Sequence, residues 1–449
     1  DNINSIQKHR GPDGNGLYNL EYCNKHINMM HQRLSIIDLD GGHQPMISND
    51  ENLIIVFNGE IFNNLKLRKD LENKGYVFNT DHSDTETLLY MYQEYNEKML
   101  NDLNGMFAFI IFDKKKKILF GARDHSGIKP LYYSLVKDEF YFSSELKTIF
   151  EFNLEKKLNI QSLSNYLSFQ FIPAPNTIYE GIFKLEAAHY FSYDIVQNNF
   201  TKKKYWDLSF DSNIKTINEY ESLIYNQFEK SVNNWSISDV EVGASLSGGI
   251  DSSAIVAMYS KNSSRRIKTF SLGFEGKFSY LDERKYASIT SKKYNTIHHE
   301  FVLTENKLLS ELDDMIHYLD EPYAGGLPSW YIYKMMKDEV KVCLTGTGGD
   351  ELFGNYNKSM VYKSKLRQLK QLFLKSNGNI IKAISDIFKY PMGFFYPKYF
   401  SSIQLNDVLL NSNLIMPEQI IEDLVKDIKN EDYKNIVPFI DFKMQLPEE

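Results

Sequence analysis

The sequence predicts an α+β layered domain followed by a doubly wound α/β domain with a parallel sheet. Up to about residue 205, short β-type runs are separated by turn signals and few segments have helical periodicity, which is typical of antiparallel sheets with helices. From about Ile217, helical stretches of roughly 12 to 20 residues alternate with short apolar strands, and this alternation favours a parallel sheet. The polar stretch 202–213 separates these two sequence patterns. We therefore predict a domain boundary near residue 210, between a domain 1–210 and a domain 211–449.

The elements of the first half follow from apolar runs and turn residues. One apolar run leads to Asn58-Gly59, and two others are joined by Asp113 and four lysines, Lys114 to Lys117. Two β-type runs separated by a short polar turn predict a β-hairpin. The predicted strands are 53–57, 106–112, 118–121 and 140–142, and the predicted helices are 63–74 and 84–95.

In the second half, three apolar runs are short enough to be strands of a parallel sheet. They are followed by glycine-rich loops or by helical periodicity, and one helix is predicted to begin near Asp251-Ser252. After Asn355 the chain is predicted to be mostly helical. The predicted strands are 240–246, 267–272 and 340–344.

Composition excludes several classes of protein. The apolar set makes up 42% of 449 residues and charged residues 24%, far from the composition of disordered chains. The net charge of −8 gives no overall attraction to nucleic acid or an anionic membrane. The two cysteines, Cys23 and Cys343, lie far apart, which fits a reducing compartment and predicts a cytoplasmic location. The longest apolar runs, of about seven residues, are well short of the roughly 20 that a membrane-spanning helix needs.

The sharpest motif is a glycine-rich loop within Val240–Lys261, VEVGASLSGGIDSSAIVAMYSK. Gly248 and Gly249 let the backbone turn sharply and present successive N–H groups to an anion, and the following helix adds its positive dipole end. These features predict a phosphate-binding loop. It is not a P-loop, because GxxxxGK[ST] is absent. The alternative is a serine–glycine turn capped by Asp251.

A second glycine-rich loop follows an apolar strand in VKVCLTGTGGDELFGNY, Val340–Tyr356. Asp350 and Glu351 offer carboxylates to Mg²⁺. Ligands of open α/β sheets bind at the carboxyl ends of the strands, where both loops are predicted to lie, so together they could enclose a nucleoside triphosphate. The alternative is a solvated acidic turn.

Six further motifs precede these loops in a fixed order. They are HRGPDG (9–14), HQRLSIID (31–38), FNGEIFN (57–63), HSDTE (82–86), LNGMFAFIIFD (103–113) and RDHSGIKPLYY (123–133). The set resembles the class II glutamine amidotransferase domain, and with SGGIDSS and TGTGGDE it resembles the glutamine-hydrolysing asparagine synthetase family. The resemblance extends to about Tyr356. It implies an Ntn-type αββα glutaminase fold followed by an ATP-pyrophosphatase fold of the doubly wound kind.

The resemblance implies roles for five residues of the first half. Arg33 would pair with the α-carboxylate of glutamine, a bidentate task suited to a guanidinium. Glu60 and Asp84 would hold the α-ammonium. Asn58, through its amide, and Gly59, through its backbone N–H, would form the oxyanion hole. For Asn58-Gly59 the alternative is a hairpin turn, which favours this pair.

The resemblance also implies a nucleotide pocket in the second half. Asp251 and Asp350 would be the Mg²⁺ ligands. Leu246 and Leu272 would lie near the adenosine, although strand leucines are usually part of the core. The implied ATP-binding residues are Leu246, Ser247, Gly248, Gly249, Asp251, Ser252, Leu272, Thr345 and Gly346.

Three departures from the family pattern bear on activity. The family's glutaminase uses a cysteine at the mature N-terminus as nucleophile, whereas this sequence begins at Asp1 and neither Cys23 nor Cys343 can take that role. We expect an initial segment that carries the cysteine, because the five glutamine-site residues would otherwise have no substrate. The ending DFKMQLPEE resembles the start of a longer family segment, so we also expect the synthetase domain to continue. Thr347 stands where family members typically carry an acidic residue.

The resemblance implies an amidotransferase that uses ATP and Mg²⁺. Glutamine hydrolysis in the first domain would supply ammonia to an acyl-adenylate in the second, converting aspartate to asparagine and ATP to AMP and pyrophosphate. Apolar residues at the domain contact would line a dry passage for the ammonia. The expected partners are glutamine, ATP and aspartate or another carboxylate, with no nucleic acid or membrane, and a homodimer is left open. The alternatives are another acceptor such as a uronic-acid sugar of surface polysaccharide, a β-lactam-synthetase-like ring closure, or an inactive scaffold relative.

Overall fold

A computed structural model describes most of the chain. The described residues are 5–210, 216–325, 327–353, 380–390, 392, 396, 398–400, 405, 408–409, 413–428 and 431–448. The chain forms two compact units. Unit 1 comprises Asp1–Leu131, Ala188–Met315 and Leu327–Gly346, and unit 2 comprises Tyr132–Ala187, Ile316–Gly326 and Thr347–Glu449. These units are defined by contacts, and the predicted domain boundary near residue 210 stays a prediction.

The described residues form strands in the following order. The strands are β1 (Gly14–Tyr22), β2 (Lys25–Arg33), β3 (Met46–Ile47), β4 (Leu53–Ile61), β5 (Gly105–Asp113), β6 (Ile118–Arg123), β7 (Tyr132–Val136), β8 (Glu139–Ser143), β9 (Ile182–Lys184), β10 (His189–Asp194), β11 (Asn199–Lys204), β12 (Val242–Ser245), β13 (Lys268–Phe274), β14 (Ile297–Leu303) and β15 (Val342–Leu344).

The α-helices of the described residues follow the same chain order. They are α1 (Asn64–Glu72), α2 (Asp84–Tyr95), α3 (Leu146–Ile149), α4 (Ile160–Phe169), α5 (Ile217–Trp235), α6 (Ile250–Asn262), α7 (Arg284–Tyr294), α8 (Glu305–Ser310), α9 (Leu312–Leu319), α10 (Leu327–Met336), α11 (Gly349–Phe353), α12 (Ile380–Lys389), α13 (Pro417–Leu424) and α14 (Tyr433–Ile440). No helix among these described residues is long and apolar enough to cross a membrane.

The N-terminal part of unit 1 contains a six-stranded antiparallel sheet among its described residues. Its strand order is β11-β10-β6-β5-β4-β3, and β1 and β2 form a separate antiparallel ribbon. The central strands β4 and β5 are almost entirely buried, and α2 packs against β4 on one face of the sheet, where Leu67 and Leu71 of α1 join the same apolar cluster. Phe107 and Phe109 from β5 and Leu88 from α2 lie at the centre of this core. The result is an α+β layered arrangement, as the sequence predicted.

The part of unit 1 that carries the glycine-rich loop at Gly248 and Gly249 is a parallel sheet. Its described strands have the order β14-β13-β12-β15, with every neighbouring pair parallel. Two separate apolar clusters cover it: one joins the sheet to α5, α6 and α7, and the other packs α10 against Phe270. Short buried strands with helices between them are the arrangement that the alternating pattern predicted.

Unit 2 contains a three-stranded antiparallel sheet, β8-β7-β9, among its described residues. Helix α3 packs on this sheet through Leu146 and Ile149. Elsewhere in the unit, α13 packs against α4, and α11 packs against α14.

Most predicted elements of the first half are confirmed with shifted ends. The hairpin at Lys114–Lys117 is confirmed as the β5–β6 pair. The predicted strand over 53–57 runs on to Ile61, so Asn58-Gly59 lies inside β4 and not in a turn. Helical structure after Asn355 is confirmed in α12, α13 and α14, while 354–379 and several later residues lie outside the described part of the chain.

Candidate active site

The oxyanion-hole candidates lie in the middle of an antiparallel strand pair. Asn58 is opposite Ala108, and Gly59 is opposite Phe107 of β5. Gly59 has φ +153°, and a Cβ there would collide with the Met106 carbonyl oxygen and lie 2.8 Å from the Phe107 Cα. The backbone approach therefore requires glycine at this position. The hairpin-turn alternative for this pair is wrong.

Arg33 is the last residue of β2 and is buried, with its guanidinium enclosed by the loop that follows. Its Nη1 donates to the Leu39 carbonyl at 2.8 Å, and its Nη2 donates to the Asp38 carbonyl at 2.6 Å and the Ile37 carbonyl at 3.3 Å. A guanidinium has five N–H donors. Among the described residues the Nε–H and one Nη1–H of Arg33 have no protein partner, so two donors remain for a carboxylate ligand.

Asp84 opens α2, and its carboxylate accepts a hydrogen bond from the Ile61 N–H at 3.0 Å. Burial raises the pKa of Asp84 to about 6, although backbone hydrogen bonds and the charge of Arg33 act in the opposite direction. Glu60 lies in β4, and burial raises its pKa to about 7, with the Asp84 charge adding to the shift despite Lys129. Asp84 therefore lies close enough to interact electrostatically with both the Arg33 guanidinium and the Glu60 carboxyl group.

The Glu60 carboxylate has an unmet hydrogen-bonding requirement. Its Oε1 is buried and has no hydrogen-bond partner among the described residues. Leaving a buried carboxylate oxygen unpaired is costly, whereas an ammonium group placed there would satisfy it and lower the pKa of Glu60. This atom is the observation that best fits an amino-acid ligand.

Two side chains bind the backbone of Phe57, the residue before Asn58, and neither was predicted from the sequence. Gln44 binds both backbone groups of Phe57, accepting from its N–H at 2.6 Å and donating to its carbonyl at 3.0 Å. His31 Nε2 lies 3.0 Å from the same carbonyl, and burial lowers the pKa of His31 to about 4. A neutral imidazole donates to this carbonyl. The signal available was that His31 lies in the same motif as Arg33, HQRLSIID.

The first glycine-rich loop joins β12 to α6, as predicted. Gly248 has φ +88°, and a Cβ there would lie 2.5 Å from the Ala287 N. The Ser247 hydroxyl oxygen accepts from the Gly249 N–H at 3.2 Å and lies 3.0 Å from the Ser252 hydroxyl oxygen. The loop is therefore a tight turn that ends at the N-terminus of a 13-residue helix, where backbone N–H groups favour an anion.

The two leucines near this loop differ in their surroundings. Leu246 is fully buried in the apolar cluster beneath the sheet, and its carbonyl accepts from the Ser271 hydroxyl. Its side chain is part of the core, and its place near the adenosine stays a prediction. Leu272 in β13 is partly buried and packs against the Phe270 cluster.

The second glycine-rich loop begins next to the first. A Cβ on Gly346, two residues after β15, would lie 3.0 Å from the Ser252 N and 3.1 Å from the Asp251 Cβ. The structure therefore brings Gly346 against the start of α6, and Thr345 directly precedes it. Thr347 and Asp350 belong to unit 2, with Asp350 in the first turn of α11. The described residues contain no group of three or more His, Cys, Asp or Glu side chains placed to hold a metal ion, so Asp251 and Asp350 as Mg²⁺ ligands stay a prediction.

Neither cysteine is placed as a nucleophile. Cys23 is exposed in the turn between β1 and β2. Cys343 lies in β15, where burial raises the pKa of its thiol to about 12 and keeps it protonated at neutral pH.

A layered antiparallel domain followed by a doubly wound parallel sheet is the fold of a class II glutamine amidotransferase domain joined to an ATP-pyrophosphatase domain. Comparison with known proteins agrees. Residues 1–206 match the family model described as a glutamine amidotransferase domain, and residues 223–392 match the model described as asparagine synthase.

The chain belongs to the glutamine-hydrolysing asparagine synthetase family. It is 34% identical to a putative asparagine synthetase [glutamine-hydrolyzing] 2 of Methanocaldococcus jannaschii, over 96% of this chain and 85% of that protein. It is 39% identical to asparagine synthetase [glutamine-hydrolyzing] 1 of Bacillus subtilis, over 81% of this chain and 56% of that protein. The chain thus spans little more than half the length of the Bacillus relative. A solved allosteric regulatory enzyme of purine biosynthesis is similar with a TM-score of 0.35 and 16% identity, over 66% of this chain and 76% of that one, too weakly to support an argument.

Proposed function

We propose that the protein is an ATP-dependent amidotransferase that forms asparagine from aspartate with glutamine as nitrogen donor. The observation that carries the proposal is the site of Arg33, Glu60 and Asp84, which has complementary charges for a free amino acid. It lies in the same chain as a tight glycine turn at the N-terminus of α6. Family membership supports this combination of activities.

In the first half-reaction, the glutamine α-carboxylate would accept from Arg33 and the α-ammonium would donate to Glu60 and Asp84. This leaves the side-chain amide near Asn58 and Gly59, where a backbone N–H and an amide can stabilise the oxyanion. In this family the nucleophile is an N-terminal cysteine. Attack of such a thiolate on the amide carbon would form a thioester as the C–N bond breaks and ammonia leaves, and water would then hydrolyse the thioester to glutamate and the free thiol.

In the second half-reaction, the phosphates of ATP would bind the loop Ser247–Gly249 and the N-terminus of α6. The fit rests on the glycine at 248, because any side chain there would collide with α7. An oxygen of the acceptor carboxylate attacks the α-phosphorus and pyrophosphate leaves. Ammonia then attacks the activated carbonyl carbon, and AMP departs with the former carboxylate oxygen. Ser247, Gly248, Gly249, Asp251 and Ser252 would surround the pyrophosphate.

Mg²⁺ would accompany the nucleotide. Protein-bound Mg²⁺ commonly keeps water and substrate phosphates as ligands and takes only one or two carboxylates from the protein. Asp251, at the start of α6, would be a ligand of this kind, and we propose Asp350 as the second. When bound, the ion neutralises the charge of the leaving pyrophosphate.

The experiment that tests the proposal is product analysis with the full-length protein. ATP, Mg²⁺ and glutamine are supplied with L-aspartate or with a panel of other carboxylates that includes uronic-acid sugars. We expect asparagine, AMP and pyrophosphate with aspartate. Because Thr347 stands where an acidic residue is usual, amide formation with a different carboxylate only would keep the mechanism and overturn the acceptor. No pyrophosphate release with any acceptor would contradict the proposal.

A further inference from the structure

The loop that follows β2, residues 34–42, fixes the position of the Arg33 guanidinium. Three consecutive carbonyls of this loop, from Ile37 to Leu39, accept its hydrogen bonds. The direction of the two remaining N–H groups of Arg33 therefore depends on the shape of the loop. Whatever fixes this loop also fixes the carboxylate-binding end of the glutamine site.

Asp239 contacts this loop from a distant part of the sequence. Its carboxylate Oδ2 accepts from the Asp38 N–H at 2.7 Å, and its own N–H donates to the Ile36 carbonyl at 3.0 Å. Asp239 is separated from Asp38 by 201 residues and comes three residues before β12, the strand that leads into the Ser247–Gly249 loop. The segment that leads into the Ser247–Gly249 loop thus also contacts the loop 34–42.

His82 completes this contact. Its Nε2 lies 2.7 Å from Asp239 Oδ2, and its Nδ1 lies 2.9 Å from Asp81 Oδ2. A carboxylate at each ring nitrogen requires both nitrogens to donate, which only the imidazolium form can do. The backbone N–H of His82 also donates to the Asp38 carboxylate at 3.2 Å. His82 itself lies two residues before Asp84, one of the two carboxylates proposed to bind the ammonium group.

Besides the pair of His82 and Asp239, a second ion pair connects the loop 34–42 to the residue before β15. Lys341, directly before β15, lies 2.8 Å from Asp13 Oδ2, and this oxygen accepts from the Ser35 N–H at 2.8 Å. The loop is therefore held at two points by residues that precede β12 and β15. These are the two strands whose ends carry the glycine-rich loops.

We infer that Asp239 is a positioning residue of the glutamine site, which with His82 fixes the loop 34–42 and through it the Arg33 guanidinium. The inference rests on the proposed function of that site. Asp239 contributes no atom to glutamine, so its effect is expected on glutamine affinity. The expected effect is modest, because the side chains of His82 and Asp239 are 33% and 36% exposed.

The charge of His82 makes this effect depend on pH. Burial lowers the pKa of His82, but the hydrogen bonds to Asp239 and Asp81 and the charges of Asp239 and Asp38 outweigh it and raise the pKa above its ordinary value of 6.5. The pairing is therefore complete below pH 6.5 and is lost as the pH rises through the raised pKa. Glu60 and Asp84 also titrate in this pH range. Because both are present in every variant, their titration affects all variants alike and does not contribute to the difference between them.

The test is calorimetric titration of the full-length protein with L-glutamine between pH 6 and 9. Asp239→Asn keeps an oxygen that can accept from the Asp38 N–H but removes the charge opposite His82. We expect it to weaken glutamine binding about fivefold at pH 6 and less than about twofold at pH 9, as expected for a partly exposed ion pair. His82→Gln should likewise weaken glutamine binding more at pH 6 than at pH 9. Glu241→Gln is the matched control, because Glu241 is exposed and pairs with Lys268 on the next strand.

The outcomes separate the inference from the proposed function. A loss of affinity in D239N and H82Q that declines with pH, with E241Q unchanged, supports the inference. Glutamine binding that is the same in D239N and the unsubstituted protein at every pH would overturn it and leave the proposed function intact. A loss that is constant across the pH range would reduce Asp239 to a purely structural residue and would also overturn it. An unsubstituted protein that binds no glutamine would overturn both.

Discussion

At the scale of single residues, the buried carboxyl group of Glu60 has a raised pKa and an unpaired oxygen. Folding buries its carboxylate next to Asp84 and leaves Oε1 without a partner in the described residues, which raises its pKa to about 7. Below pH 4.5, the ordinary value, Glu60 is protonated in both the folded and unfolded states. As the pH rises through the folded pKa, the unfolded state ionises more readily and the folded state loses stability. An ammonium group bound at Glu60, as proposed for glutamine, would restore the stability that is lost.

Replacing Glu60 with Gln should separate stability from binding. We expect E60Q to raise the free energy of unfolding at pH 8 by up to about 3 kcal/mol, since it removes a buried charge, and to leave it unchanged below pH 4.5. The same variant should weaken glutamine binding. Urea unfolding at several pH values measures the first effect and calorimetry the second. Glu72→Gln, an exposed residue paired with Arg68, is the control. An E60Q protein less stable at pH 8 would contradict the account of Glu60.

Arg33 allows a second test at this scale. Lysine keeps the positive charge but cannot reach three loop carbonyls and a carboxylate at once. We expect Arg33→Lys to raise the KM for glutamine by about 10- to 100-fold, the cost of one or two charge-assisted hydrogen bonds. Amide formation from added ammonium salt should be unchanged, because it bypasses the glutamine site. Equal losses in both assays would show that Arg33 has a general structural role.

At the scale of elements, local signals predicted the type of most strands and helices but not where β4 ends. Asn58-Gly59 is the favoured pair of a tight turn, so the sequence alone left a hairpin open. The strand continues because Gly59 pairs with Phe107 of β5, which is a non-local contact. The motifs around SGGIDSS predicted a strand, a turn and a helix, and the tight turn at Gly248 agrees. The contribution of Gln44 was not predicted, because it depends on the approach of two distant backbone segments.

Gly248 provides the test at the scale of elements. Alanine there would combine an unfavourable φ of +88° with a collision against the Ala287 N. We expect Gly248→Ala to deform the loop and reduce ATP-dependent pyrophosphate exchange by about 100-fold or more, with strain of roughly 1–3 kcal/mol. Gly75→Ala is the matched control, because Gly75 has φ +94° but open space around it. Exchange that survives in G248A would show that this turn does not bind the phosphates.

At the scale of the whole molecule, unit 2 contains a cluster of buried charges that sequence reasoning missed. Lys184 lies 2.7 Å from Glu321 and 2.5 Å from Glu448, and each of the three side chains is less than 10% exposed. Glu448 is 264 residues away from Lys184, so no local pattern could have connected them. Burial raises the pKa of Glu321 although the Lys184 charge opposes the shift.

Removing Lys184 should destabilise the protein. Lys184→Met would leave two buried carboxylates without their cation, a loss that typically costs about 3–5 kcal/mol. Thermal unfolding of K184M should show a clear fall in Tm. Lys157→Met serves as the comparison, since Lys157 pairs with Glu180 in the same unit but is exposed and should contribute little. Equal Tm values for the two variants would contradict a stabilising role for the cluster.

We propose that glutamine nitrogen is transferred within one protein to a carboxylate that ATP has activated. The most direct measurement supplies the full-length enzyme with [amide-¹⁵N]glutamine, aspartate, ATP and Mg²⁺ in a solution containing unlabelled ammonium. The account predicts ¹⁵N-labelled asparagine, with one pyrophosphate released for each asparagine formed. Asparagine that carries only unlabelled nitrogen, or glutamate formed with no asparagine or pyrophosphate, would contradict it.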